Sequence, residues 1–570
     1  MLGQILTLIF VFGIGGSLKS CSPGYIPRDD DPKPASQPTV TVVGQFTYQK
    51  LSLKLNTDGT PVSPATTTVA VLPVRALDVV AFDGTSNKEI QTRMTATNDD
   101  GTFSLSVPAG STFTLGLRSS TKVLASRANI EVRDPFTDGL YTFVIVKSET
   151  QGPFTAPSSG QLSIDISTIR ATPASSRSSA ILSMLDSVLR ATDHARQVSG
   201  TVPPVLTVYW NAASTDGSYY TSRGGPDGGA AIYIKGGDSV NDDTDEFDDY
   251  VLLHEYGHFF ADAFSRDASL GGSHALDELI YASASYSEGL ASFLAGVFEV
   301  QPFLVDSARI SSGSPLWFSI NLEGGRDFTA PRTQKDELTI AEVLWDLADG
   351  VEGRANTDNE SVALSLAQVY GALVGLRGDT TAYPYPSIQD FLTALVASGA
   401  VTDATVNSLL VTPEYQRISF GSTLQSQDLF PTTIPVGTYN RADWCTTRIA
   451  VGDVHYSAAD ESNRLFKFTL SQQTAVTVTM ALQGGVTGKN ADGTNVDLLL
   501  LTCDNYLATD TGSSILTPLP RPEQATESCS GTLPSGTYII LVHGRPNLYS
   551  GVLTNASSKA VSYRLSLVSP

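Results

Sequence analysis

The residues of this 570-residue chain best placed to do chemistry stand in the string VLLHEYGHFF at positions 251–260. His254 and His258 are four residues apart, so on a helix both imidazoles point from one face, one turn apart, toward a single divalent ion. Glu255 follows the first of them and can reach a water on that ion as a general base. This is the H-E-x-x-H pattern, in which two imidazoles hold zinc and the glutamate manages protons. A catalytic zinc site also needs a third protein ligand and one open position. A third histidine at short spacing would fall six residues past His258, where Phe264 stands.

Downstream, the segment YSEGLASF at 286–293 resembles the E-G-x-A helix of gluzincins, the thermolysin-like clan of zinc peptidases. That resemblance implies Glu288 as the third ligand and hydrolysis of peptide bonds by zinc-activated water. Two more stretches resemble a group of bacterial gluzincin-like lipoproteins across residues 175–400: SRDASLGGSH at 265–274 and IAEVLWDLAD at 340–349. By that likeness His274 is a candidate donor to the oxyanion, the alternative being a loop histidine capping backbone. Asp346 is a candidate acceptor from the far nitrogen of a ligand histidine, the alternative being a helix-surface carboxylate. Tyr281, Tyr286 and Tyr370 are further candidate oxyanion donors. The absence of a G-x-M-E-N motif of the aminopeptidase type tilts the reading toward an endopeptidase acting on protein or peptide substrates. The competing reading is a non-catalytic surface binding or adhesion lipoprotein built on a degenerate peptidase scaffold.

These side chains need elements to hold them. Val, Leu and Phe flank the motif and give its helix an apolar back. Upstream lies the Asp-rich run GGDSVNDDTDEFDD at 236–249. Asp248 and Asp249 fall at the helix start, where carboxylates suit the helix dipole. The run is also a candidate Ca2+ site, because hard cations take several carboxylates, although it lacks the Gly and Glu positions of an EF-hand loop. In the gluzincin-like fold the strand before the metal helix is a sheet edge open to substrate, and Ala230–Ile234 fits that place. Helical periodicity covers Ser178–Val198, Tyr286–Val300, Leu338–Ala348, Ser361–Leu376 and Ile388–Ser398.

On either side the period becomes that of strands. In TATNDDGTFSLSVPAG at 95–110 an Asn-Asp-Asp-Gly turn precedes Phe103, Leu105 and Val107, which share one face. This segment resembles the carboxypeptidase regulatory-like β-sandwich. Near the C-terminus FKFTL, NVDLLLLT, ESCSGTLPSGTYIILV and SYRLSL come in the order seen in bacterial pre-peptidase C-terminal domains, which are small β-sandwiches on secreted proteases. The expected architecture is therefore multidomain: a β-sandwich (40–150), an α+β zincin-like metallopeptidase domain that is mostly helical after the metal helix (165–425), and a second β-sandwich (438–570). A chain this long exceeds what one core supports.

Charge and cysteines bound the setting. A formal net charge of −22 repels phosphate backbones, so nucleic acid is not expected as a partner. Residues 2–16 form an apolar run too short to span a bilayer comfortably. The run leads into Leu18, Lys19, Ser20 and Cys21, which resemble a bacterial lipobox, though no Lys or Arg precedes it. The resemblance implies a lipoprotein signal peptide (1–21), lipidation of Cys21, a Pro- and Asp-rich tether (22–39), and a membrane anchor at the outer membrane or cell surface. The alternative is an ordinary signal peptide and secretion. No cysteine forms a CxxC pair. Export makes Cys503 and Cys529 a disulfide candidate, with Cys445 open as a partner to either.

Overall fold

The computed structural model describes residues 38–56, 60–63, 65–90, 94–145, 153–166, 168–171, 178–237, 243, 245–267, 269, 274, 276, 278–309, 315–323, 333–354, 362–378, 386–410, 432–433, 435, 439–447, 463–482, 494–502, 526–546 and 559–569. The apolar leader with Cys21, the tether to residue 37, and Cys503 lie outside the described residues. Cys445 and Cys529 sit on the strands Tyr439–Thr447 and Thr526–Leu533. Among the described residues no helix is long and apolar enough to cross a membrane.

The N-terminal region is β-rich and holds several sheets. One orders the strands Gln161–Ser163, Thr39–Gln45 and Thr102–Pro108. A second orders Phe154–Thr155, Thr112–Arg118, Asp78–Asp83 and Thr95–Ala96, with Thr142–Ile145 also pairing with Thr112–Arg118. Thr47–Leu53 and Thr67–Pro73 form a separate antiparallel pair. In Thr102–Pro108 the expected alternation holds: Phe103, Leu105 and Val107 are buried, while Ser104 and Ser106 are exposed. The preceding turn closes with Gly101 donating to the Asn98 carbonyl at 2.9 Å. Gly101 has a φ of +81°, which favours glycine.

The middle region is helical. Helix α1 (Ser178–Ser199) buries Ile181, Met184, Leu185, Val188 and Leu189, and its outer carboxylates Asp186 and Asp193 pair with Arg75 and Arg127 of the β-rich region. A four-stranded sheet comes next in the order Tyr219–Thr221, Ala230–Ile234, Leu206–Trp210, Ile130–Arg133. Leu206–Trp210 runs parallel to both of its neighbours. Ala230–Ile234 is thus an inner strand, contrary to the expectation of an edge. The short strand Tyr219–Thr221 covers it, from a stretch whose glycines read as loop.

Helix α2 (Asp249–Phe264) carries the histidine motif, and α3 (Ala282–Glu299) carries Glu288. Beyond them lie the paired strands Phe303–Ala308 and Leu316–Asn321, then α4 (Glu337–Ala348), α5 (Leu366–Gly378), α6 (Ile388–Ala397) and α7 (Asp403–Leu410). Every residue of α4 is buried. Its cap is Asp336, whose side chain accepts from the backbone of Leu338 and Thr339. The chain divides into two compact units, and the division runs through α2 after Tyr256.

In the C-terminal region two four-stranded sheets share one buried cluster that includes Phe466, Phe468, Val478, Met480, Ile540 and Leu565. One orders Thr432–Thr433, Asn463–Leu470, Gly536–Pro546 and Thr494–Thr502, and the other Tyr439–Thr447, Lys559–Val568, Thr474–Leu482 and Thr526–Leu533.

Candidate metal centre

Helix–helix packing sets the spacing of the centre. A methyl group on Gly257 of α2 would sit 2.7 Å from the Ala291 Cα of α3. One on Gly289 would sit 2.6 Å from both the Glu337 carbonyl oxygen and the Ile340 Cβ of α4. Real side chains do not tolerate such distances, so glycine at these positions lets α2, α3 and α4 approach closely. Gly257 precedes His258 and Gly289 succeeds Glu288, so the close contacts occur beside the chemical groups themselves.

His258 is held from behind. Its Nδ1 lies 3.1 Å from Asp267 Oδ2 and 3.3 Å from Ser287 Oγ. The Ser287 hydroxyl donates its proton to Asp267 Oδ1. Nδ1 is therefore the donor on this side of the ring, which leaves the Nε2 lone pair facing outward. Nε2 is 3.3 Å from Glu288 Oε2. Two acceptors at that distance call for a cation between them, a proton or a metal ion. The electrostatics agree: burial pushes the His258 imidazole down, but Asp267 and Glu288 outweigh it and hold the ring well above the usual histidine range.

His254 stands one turn earlier on the same helix, edge-on to the Tyr250 ring. The ligating atoms of His254, His258 and Glu288 all lie within 4.8 Å of one another. Glu255, 8% exposed, is on the same turn of α2. The three residues offer the two imidazoles and one carboxylate of a His2Glu set.

The partner of the ring's far nitrogen, expected at Asp346, is for His258 the carboxylate of Asp267. In the sequence Asp267 is one letter of a longer motif, yet it carries a signal: an acid nine residues past the second histidine, where the chain turns back after α2. Asp346 is 1% exposed within α4, so it is not a helix-surface carboxylate. His274 does come near: its Nε2 is 3.9 Å from Glu288 Oε2 and 2.9 Å from Glu337 Oε2. Nothing in the sequence singles out Glu337. Among the candidate tyrosines, Tyr281 precedes α3 as its N-terminal flank, and Tyr370 packs edge-on against the Phe260 and Phe264 rings. Tyr286 is buried at 1%, its hydroxyl without a hydrogen-bond partner among the described residues.

The Asp-rich run behaves differently. Asp243 and Asp245 meet Asp306, from the strand Phe303–Ala308, with carboxylate oxygens within 4.8 Å. Lys235 Nζ is 2.9 Å from Asp243 Oδ2, and Ser218 donates to Asp245. Burial, with Asp306 and Asp243 adding to it, pushes Asp245 up to about 7 against the Ser218 bond and Lys235. Asp248 and Asp249, expected to serve the helix dipole, turn to tertiary partners as well. Asp248 accepts from Ser307, while Asp249 pairs with Lys50 and Arg190 and accepts from Ser187.

No protein-family model matches the chain, and no curated protein matches it. Among solved structures it is similar to the pre-peptidase C-terminal domain of a collagenase from Bacillus anthracis, at 9% identity over 24% of this chain and 93% of that one, with a TM-score of 0.15. It is similar to PliG, a periplasmic inhibitor of g-type lysozyme from Aeromonas hydrophila, at 15% identity over 24% of this chain and 96% of that one, with a TM-score of 0.13. A β-glucosidase from Paenibacillus barengoltzii matches at 8% identity over 91% of this chain and 70% of that one, with a TM-score of 0.10.

Proposed function

We propose that this chain is a zinc peptidase of gluzincin-like type that acts outside the cytoplasm. One observation carries the reading: His254, His258 and Glu288 bring their ligating atoms within 4.8 Å while Glu255 stands on the same turn of α2. The donor set fits zinc, being nitrogen and oxygen ligands in the number that leaves one position open. His254, His258 and Glu288 would hold the metal. When bound, zinc supplies the Lewis acidity that makes water a nucleophile near neutral pH.

The chain's own residues do the rest. Asp267 and Ser287 fix His258 in the tautomer that presents Nε2 as a ligand. Glu255 takes a proton from the attacking water and passes it to the leaving amine. Peptide bonds are favoured as substrate by the paired H-E-x-x-H and E-G-x-A segments, and endopeptidase action by the lack of an aminopeptidase motif. In this reading the helical region is a zincin-like domain between two β-sandwiches. Export and an anchor at Cys21 are favoured by the apolar leader and the lipobox resemblance.

Glu255→Gln should keep bound zinc and lose at least about a hundredfold in turnover of a generic protein substrate, since general-base catalysis contributes ~10²–10⁴. His258→Ala should lose the metal, read by elemental analysis. A Glu255→Gln protein that cleaves at the wild-type rate refutes the assignment.

A further inference from the structure

We propose that a second divalent cation binds beside the first, held by His274 and Glu337, with the Glu288 carboxylate shared between the two ions. The inference rests on the metal centre proposed above and extends it. The ligating atoms of His274, Glu288 and Glu337 lie within 4.8 Å of one another, and Glu288 also belongs to the group with His254 and His258.

Glu337 is the telling residue. It is 4% exposed at the first position of α4, and its Oε2 has no hydrogen-bond partner among the described residues. That oxygen is only 2.9 Å from His274 Nε2, close enough to bond but out of line for an N–H donor. Two ligands of one ion sit this way, because each points at the ion rather than at the other. A buried carboxylate oxygen that accepts no hydrogen bond is unfavourable, and a cation in this position removes the penalty. The neighbouring acid Asp336 caps α4 through Oδ1 and is not in the group with His274, Glu288 and Glu337.

Helix packing explains why the two glutamates meet. The contact of Gly289 with the Glu337 carbonyl brings the start of α4 against the residue next to Glu288. A carboxylate has two oxygens and can bridge two ions about 3.5–4 Å apart, the separation usual in two-metal sites. His274 then becomes a ligand, a role different from the oxyanion donor expected from sequence.

The test is stoichiometry. The purified full-length chain is stripped with a chelator, reloaded with zinc, freed of excess and measured by elemental analysis. Two zinc ions per chain are expected, falling to one in Glu337→Gln and one in His274→Ala. Far-UV circular dichroism confirms that at least one variant is folded. One ion in the wild-type chain overturns this inference and leaves the first centre standing, whereas none overturns both. Two ions retained in a folded Glu337→Gln or His274→Ala variant also overturns it, because the second ion then lies elsewhere.

Discussion

Two clusters of ligating side chains in this protein begin from similar material and settle their charge in opposite ways. Asp243, Asp245 and Asp306 bring three carboxylates together, and the chain answers from within: Lys235 sits on Asp243, and Asp245 is raised to about 7, so that it keeps a proton near neutrality. At His258 the chain does the reverse. Asp267 and Ser287 orient the ring from behind, and its Nε2 is turned onto Glu288. The two clusters thus differ in what balances their charge within the chain. In the zinc reading proposed above, what distinguishes His258 is a lone pair aimed by a partner on the other side of its ring.

The comparison breaks most readily at Asp267. Asp267→Asn should weaken zinc binding by roughly ten- to a hundredfold, the usual effect of losing the carboxylate behind a ligand histidine. Asp243→Asn should leave zinc affinity unchanged. Competition titration with a chromophoric chelator reads both, and equal losses in the two variants would erase the distinction.

A smaller effect tests the frame. Gly289→Ala must push α3 and α4 apart, and we expect a loss of ~2 kcal/mol in stability, typical of overpacking, seen as a lower midpoint in thermal or urea unfolding. An unchanged midpoint would mean that the close helix contact is not needed to hold Glu288.

The smallest effect belongs to the acidic cluster. In the folded chain Asp245 keeps its proton up to about 7, while an unfolded aspartate releases it near 3.8. The folded state binds the proton more tightly, so stability from this group falls as pH rises through that window and is level above it. Asp245→Asn removes this group's share of the slope and leaves that of Asp248 and Asp306, which burial also raises. Relative to wild type the variant should gain stability progressively from about pH 4 to about pH 7, and nothing below that range. Parallel pH profiles of the two proteins would contradict the raised carboxyl.

How much is legible in the sequence depends on range. The histidine motif lies within one helix, so 3.6-residue periodicity is enough to place His254, Glu255 and His258 on one turn. Glu288 is recognisable through its neighbours Gly289 and Ala291, and both prove to be contact residues between helices. Glu337 and Asp306 escape a sequence reading because each reaches its cluster from a later element, and no local period records that meeting; Asp267 leaves only the signal of an acid just after the metal helix. For Asp346 it is the alternative, a helix-surface carboxylate, that the structure removes: α4 is buried on all sides, which a helical period with polar positions does not announce. The inner place of Ala230–Ile234 is hidden for a related reason: three residues, Tyr219–Thr221, are too few to show an alternation.

Ile130–Arg133, far upstream in the chain, completes the sheet that contains Leu206–Trp210. A gene fragment that starts after residue 150 would leave Leu206–Trp210 with one flank bare of hydrogen-bonding partners. Raw flanks of that kind recruit strands from other copies and drive precipitation. Shortened versions meant for expression should therefore begin upstream of Ile130, so that this sheet keeps all four of its strands.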